Sequence, residues 1–162
     1  VYQRLVGFDF RGNLINCKSG AYFKLTDDSM FAKRVVITRT KEVEDICKAK
    51  GIAVILHEYP GRGDAVRIGM EQMMDLDGCI FCPCDQPFLQ RKSLNRMVGK
   101  FTYGEKTIFK LGFNDKQGAP VLFAKEYFEE LCKLPEKSGG SYIMKKYPYT
   151  NVKIYGGIFY EK

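Results

Sequence analysis

The chain has 162 residues, 45% of them apolar and 28% charged, with a formal net charge of +7. That length suits one domain with a substantial core, so residues 1–162 are read as a single unit. No apolar run approaches the ~20 residues of a membrane-spanning helix, and no charged-then-apolar leader opens the sequence, so a cytoplasmic protein is expected. The positive balance favours anionic partners, above all nucleotide phosphates. The basic residues look scattered, without a dense block interleaved with stacking aromatics, which argues against nucleic acid.

Tyr2 to Phe10 predicts a first strand and Gly12-Asn13 a turn, with no long amphipathic helix before Arg34. From there strands and helices alternate. Arg34–Thr38 is a β-branched run, and Lys41–Lys50 reads as a helix stopped by Gly51. Ile52–Leu56 is a second apolar strand. Asp64–Leu76 has apolar residues at 65, 66, 68, 70, 73, 74 and 76, a helical period. Gly78–Cys82 is a third strand. The continuous hydrophobicity of these strands predicts burial on both faces, as in a parallel sheet between helices. Helices are expected at Ser93–Phe101, Lys125–Lys133 and Ser141–Lys146, and strands at Thr107–Phe113, Pro120–Phe123 and Val152–Tyr155. The predicted fold is α/β: a three-layer, Rossmann-like, mostly parallel sheet with helices on both faces.

In such sheets ligands bind beyond the carboxyl ends of the strands, which is where Cys84-Asp85-Gln86-Pro87 falls. Pro87 prevents the strand from continuing and holds Gln86 extended, so the Asp85 carboxylate sits at a fixed strand end, suited to a hard cation such as Mg²⁺. An aspartate that merely caps a turn would look the same. His57-Glu58-Tyr59-Pro60-Gly61-Arg62-Gly63-Asp64 leads from the second strand into a helix. Glycines before a helix N-terminus suit an anion, although Asp64 also reads as an ordinary N-cap and His57 as a structural histidine.

Gly118-Ala119-Pro120 reads as a glycine-led turn into a strand against which a substrate could lie, and Gly139-Gly140 as an amide-rich helix entrance. Lys18 and Lys24 flank Gly20 and could neutralise triphosphate charge, or simply line a solvated surface. Three of the six cysteines crowd into Cys79–Cys84. No second Cys/His cluster accompanies them, so they read as small buried strand residues rather than zinc ligands.

Singly these signals are weak, but their order is informative. A glycine loop, a helix ending Gly69-Met70-x-x-x-Met74, Cys84-Asp85-Gln86-Pro87-Phe88-Leu89, Gly118-Ala119-Pro120-Val121-Leu122-Phe123, Phe128-Glu129-Glu130-Leu131 and Gly139-Gly140-Ser141 follow one another. Over roughly residues 33–155 this resembles the MobA-like NTP transferases, and within them the molybdenum cofactor cytidylyltransferase and guanylyltransferase branch. The resemblance implies transfer of CMP or GMP from CTP or GTP to molybdopterin, with release of pyrophosphate. It implies Asp85 as the Mg²⁺ ligand and, with Lys24, the catalytic centre. Lys18, Gly20, His57, Gly61, Arg62, Gly63 and Asp64 would face the nucleotide; Gln86, Pro87, Gly118, Pro120, Gly139 and Gly140 would border the molybdopterin-type substrate. The family's amino-terminal loop has its nearest counterpart in Lys18-Ser19-Gly20 and Lys24-Leu25, where lysine replaces arginine and the Ala-Gly-Gly lead-in is missing. That departure keeps an alternative open: a catalytically degenerate relative that binds nucleotide or cofactor as an accessory protein in molybdoenzyme maturation. A molybdoenzyme or its maturation factor as partner, and a homodimer sharing the site, are further expectations.

Overall fold

The computed structural model describes residues 3–8, 16–18, 21–23, 34–83, 91–101, 107–113 and 116–154. Among them, seven strands form one sheet: β1 (Gln3–Phe8), β4 (Arg34–Thr38), β5 (Val54–Leu56), β6 (Gly78–Pro83), β7 (Ile108–Phe113), β8 (Lys116–Ala124) and β9 (Thr150–Ile154). Their spatial order is β5-β4-β1-β6-β8-β7-β9, and β2 (Asn16–Lys18) pairs with β3 (Ala21–Phe23) in a separate hairpin. β1 runs antiparallel to both β4 and β6, and β8 antiparallel to both β6 and β7, while β4–β5 and β7–β9 are parallel. The other five strands therefore all point one way, while the reversed β1 and β8, both interior, make four of the six pairings antiparallel and the sheet a mixed one.

Alternation along the strands divides the core into two faces. Val35, Ile37, Cys79, Phe81, Val121 and Phe123 pack on one side against Val66, Met70 and Met73 of the α2 segment (helix Arg62–Met70) and against Phe128 and Leu131 of α4 (Phe128–Leu131). On the other side α1 (Lys41–Ala49) places Cys47 against Val36 and Ile52, and α3 (Arg91–Gly99) places Leu94, Met97 and Val98 against Ile80, Cys82, Leu122 and Val152. The result is three layers, with helices on both faces of one sheet, as expected.

The stop of α1 at Gly51 has a clear physical cause. Ile52 N–H bonds to the Cys47 carbonyl (2.8 Å) and Gly51 N–H to the Lys48 carbonyl (3.1 Å), with Gly51 at φ +68°. This is a Schellman closure, completed by the apolar contact of Ile52 with Cys47. It also uses up Ile52, so β5 begins two residues later than the apolar run suggests.

Other boundaries differ for equally local reasons. The 64–76 period is real, but the helix ends at Met70. Beyond it, Met73 N–H to Met70 carbonyl and Leu76 N–H to Met73 carbonyl form tighter three-residue turns that still bury Met73 and Leu76. Lys125–Tyr127 is a 3₁₀ turn running into the short α4, where one longer helix was expected. Gly118 and Ala119 lie within β8 rather than in a turn before it. Lys110 pairs with Val121 and Gly112 with Gln117, so residues 118–120 face Leu111 alone in a bulge. A bulge is where a proline that cannot donate to the ladder is tolerated inside a sheet, and Pro120 is buried there.

A Cβ on Gly51 would meet no atom within 4 Å, so Gly51→Ala carries only the cost of the left-handed conformation. It should lower stability by about 1 kcal/mol in urea unfolding, with an unchanged m-value.

Candidate functional site

Because five strands share one direction, their carboxyl ends share one edge. β4 ends there at Thr38, β5 at Leu56 and β6 at Pro83. Cys84, Asp85, Gln86 and Pro87, which follow β6 in sequence, lie outside the described residues. Gly20 and Lys24 lie outside them as well, and Lys18 is placed only by its backbone, in β2. β1, which precedes these lysines, ends with Phe8 paired to Gly78, at the opposite edge of the sheet.

Two glycine segments that the sequence presents separately come together at the carboxyl edge. α2 starts at Arg62 beside the loop 135–140. A Cβ on Gly61 would overlap the Glu136 carbonyl oxygen, and one on Gly63 the Pro135 carbonyl oxygen. Gly63 N–H donates to the Glu136 carbonyl (2.9 Å) and Gly61 N–H to Asp64 Oδ2 (3.1 Å). The close approach that these glycines allow is thus to protein backbone, and two amides at the mouth of α2 are already engaged. The N-cap of α2 is Gly61 rather than Asp64: Asp64 is the third residue of the helix, buried and paired with Arg67, and its carboxylate accepts the Gly61 N–H. Arg62 stays exposed. On the far side of the loop Gly140 lies against the rings of Phe123 and Phe81, so the helix α5 (Ser141–Met144) rests on the core beside the end of β6.

His57 follows β5 at the same edge. Its N–H donates to the Thr38 carbonyl (3.0 Å), the ring is only 8% exposed, and it stacks on Tyr59 at 6.2 Å between centroids. Nδ1 is sealed without a partner, so the ring reaches anything beyond the core through Nε2. Burial, seconded by the nearby Arg39 guanidinium, holds the imidazole below its ordinary pKa of 6.5. Arg39 was not singled out in the sequence, yet it is exposed at the end of β4, where Thr38 Oγ1 accepts the Thr40 N–H (3.1 Å) and shapes the turn. Its only signal was position, one residue past a buried strand.

Among the described residues no group of three His, Cys, Asp or Glu is placed to hold a metal ion. A cavity of about 570 Å³, lined by Val35, Ala53, Val54, Ile55 and Met73 among others, opens toward the amino ends of β4 and β5. It has no charged lining residue and is away from the edge just described.

The profile of the MobA-like NTP transferase domain matches residues 25–152. The chain belongs to the MobA-like NTP transferase family. Among solved structures, the MobA-like fold seen here is similar to Rv0371c from Mycobacterium tuberculosis H37Rv, with a TM-score of 0.63 and 19% identity over 78% of this chain and 69% of that one. It is also similar to the manganese complex of Rv0371c, with a TM-score of 0.60 and 20% identity over 79% and 71% of the two chains. No curated protein shows significant sequence similarity to the chain. No described helix is long and apolar enough to cross a membrane.

Two outcomes follow for this MobA-like site. Gly63→Ala should destabilise by about 2 kcal/mol or more, well beyond Gly51→Ala, because backbone must move; urea unfolding of both variants measures the difference. His57 is the single histidine, and its folded pKa is lowered, so the unfolded chain takes up its proton first as pH falls. Its contribution to stability is then complete above pH 6.5 and declines as pH drops from 6.5 toward the lower folded value. The one imidazole NMR signal should titrate below 6.5, and His57→Gln should flatten the stability slope in that window.

Proposed function

We propose that the chain is a nucleotidyltransferase that moves CMP or GMP from CTP or GTP onto the phosphate of a molybdopterin-type cofactor. A phosphate oxygen of the acceptor would form the new bond to the α-phosphorus, and the bond to the bridging oxygen would break, releasing pyrophosphate. Membership of the NTP transferase family supports the reaction class. The observation that carries the site is the convergence, at one edge, of His57, the mouth of α2, the 135–140 loop and the end of β6.

In this reading His57 Nε2, Arg62 and the backbone around Gly61, Gly63 and Asp64 face the nucleotide, with Arg39 added as a phosphate-directed cation. Lys18, Gly20 and Lys24 complete the triphosphate side. Gln86, Pro87, Gly118, Pro120, Gly139 and Gly140 border the acceptor. Such a site works by alignment and charge neutralisation rather than by covalent chemistry.

A divalent cation, Mg²⁺ by expectation, would offset charge on the transferring phosphates. The family resemblance assigns that cation to Asp85, with phosphate oxygens as its other ligands, and Asp64, engaged by Arg67 and Gly61, is not free for the role. The manganese complex of Rv0371c is compatible with that assignment.

A second reading is a nucleotide- or cofactor-binding relative without turnover, serving molybdoenzyme maturation. The reversal of β1 favours it, since that strand ends away from the carboxyl edge. One experiment separates the two. With CTP or GTP, Mg²⁺ and molybdopterin, the transferase reading requires pyrophosphate release that falls at least about 100-fold in Asp85→Ala. Binding of nucleotide or molybdopterin without release selects the accessory reading, and absence of binding to either overturns both.

A further inference from the structure

From Lys137 to Ile154 the chain carries four lysines, three tyrosines and no carboxylate. The fold lays this stretch out as a surface. Tyr142, Tyr147 and Tyr149 each keep more than a third of their area exposed, and Lys145, Lys146 and Lys153 are exposed among them. The rings are held before any partner arrives. Lys146 Nζ lies 4.7 Å over the Tyr142 ring, and Lys110 Nζ 5.8 Å over the Tyr149 ring. Tyr147 tilts against Tyr127 at 5.2 Å and donates its hydroxyl proton to Glu130, which Lys146 also reaches at 3.4 Å. The strip runs directly into β9, the last strand of the sheet, whose outer side has no neighbouring strand among the described residues. Val152 anchors β9 inward against α3, while Asn151 and Lys153 stay exposed.

We propose that β9 and the tyrosine–lysine strip form a docking surface for an acidic, extended segment of a partner protein, which adds to the sheet as an outer strand. The β9 edge, which has no neighbour among the described residues, supplies main-chain hydrogen bonds, the lysines pair with carboxylates, and the pre-held rings give apolar contact at little entropic cost. Three observations select this occupant. Lysine on an edge strand repels a second copy of itself, so β9–β9 pairing between two chains is disfavoured. The Tyr142 and Tyr149 rings already carry ammonium groups, and Tyr147 already packs on Tyr127, which leaves poor platforms for base stacking. A strand edge without a neighbour among the described residues is a feature that a peptide uses and a nucleic acid does not. The surface is independent of the nucleotide chemistry proposed above.

The test uses the full chain and a fluorescein-labelled peptide of alternating glutamate and valine, about ten residues long, followed by fluorescence anisotropy. Saturable binding that weakens with salt is expected. Lys153→Glu should weaken it about fivefold or more, while Lys48→Glu, an equal charge change on α1, should leave it within about twofold. Backbone amide signals of residues 150–154 should shift on binding. The proposal is overturned if an alternating lysine–valine peptide binds equally well, if Lys153→Glu has no more effect than Lys48→Glu, or if a single-stranded oligothymidylate displaces the peptide and binds more tightly.

Discussion

The 2.9 Å hydrogen bond from Gly63 N–H to the Glu136 carbonyl joins the two halves of the chain at the point where a site can be built. It forms only because Gly61 and Gly63 lack side chains, and it fixes the mouth of α2 against a loop more than seventy residues later. Once that contact is made, Asp64 is drawn into capping and ion pairing, and Gly140 comes to rest on Phe81 and Phe123. Phe81 belongs to β6, which ends at the same edge with Pro83, and Phe123 belongs to its neighbour β8. One backbone contact thus sets the geometry between the segment after β5, the helix entrance at 140 and the end of β6.

Strand direction decides what else can reach this edge. Five strands end there, so Arg39, His57 and Arg62 are gathered by topology, without sequence proximity. β1 is central yet reversed, and it brings its first residues rather than its last to the carboxyl side: Gln3 pairs with both Ile37 and Pro83. An exposed guanidinium at the end of β4 becomes correspondingly more important to any anion held there.

Much of the fold was legible in the residues. β4 has the bounds its β-branched run suggests, α1 stops where glycine stops it, and β6 follows its apolar run, because each is decided by local pattern and burial. The misplaced boundaries came from tertiary demands: Ile52 is taken by a helix cap, and a bulge lets β8 continue through Gly118 and Pro120. The reversal of β1 had no local signature at all.

The site was legible in part. The order of the glycine segments pointed to one family, but nothing in sequence told that Gly61 and Gly63 serve a helix–loop contact, or that Arg39 stands beside His57. The basic residues are scattered along the sequence, and the fold leaves three of them, Lys145, Lys146 and Lys153, exposed in the same stretch as Tyr142, Tyr147 and Tyr149.

The central claim is that nucleotide is held at the carboxyl edge, at the junction of α2 with the 135–140 loop. A ¹⁵N-resolved titration with Mg²⁺ and CTP or GTP tests it most directly. Amides of Arg39, Thr40, residues 57–64 and residues 135–140 should shift together and saturate, while residues 50–53 and 72–78 at the opposite edge stay still. Shifts confined to that opposite edge, or none at saturating nucleotide, would contradict it.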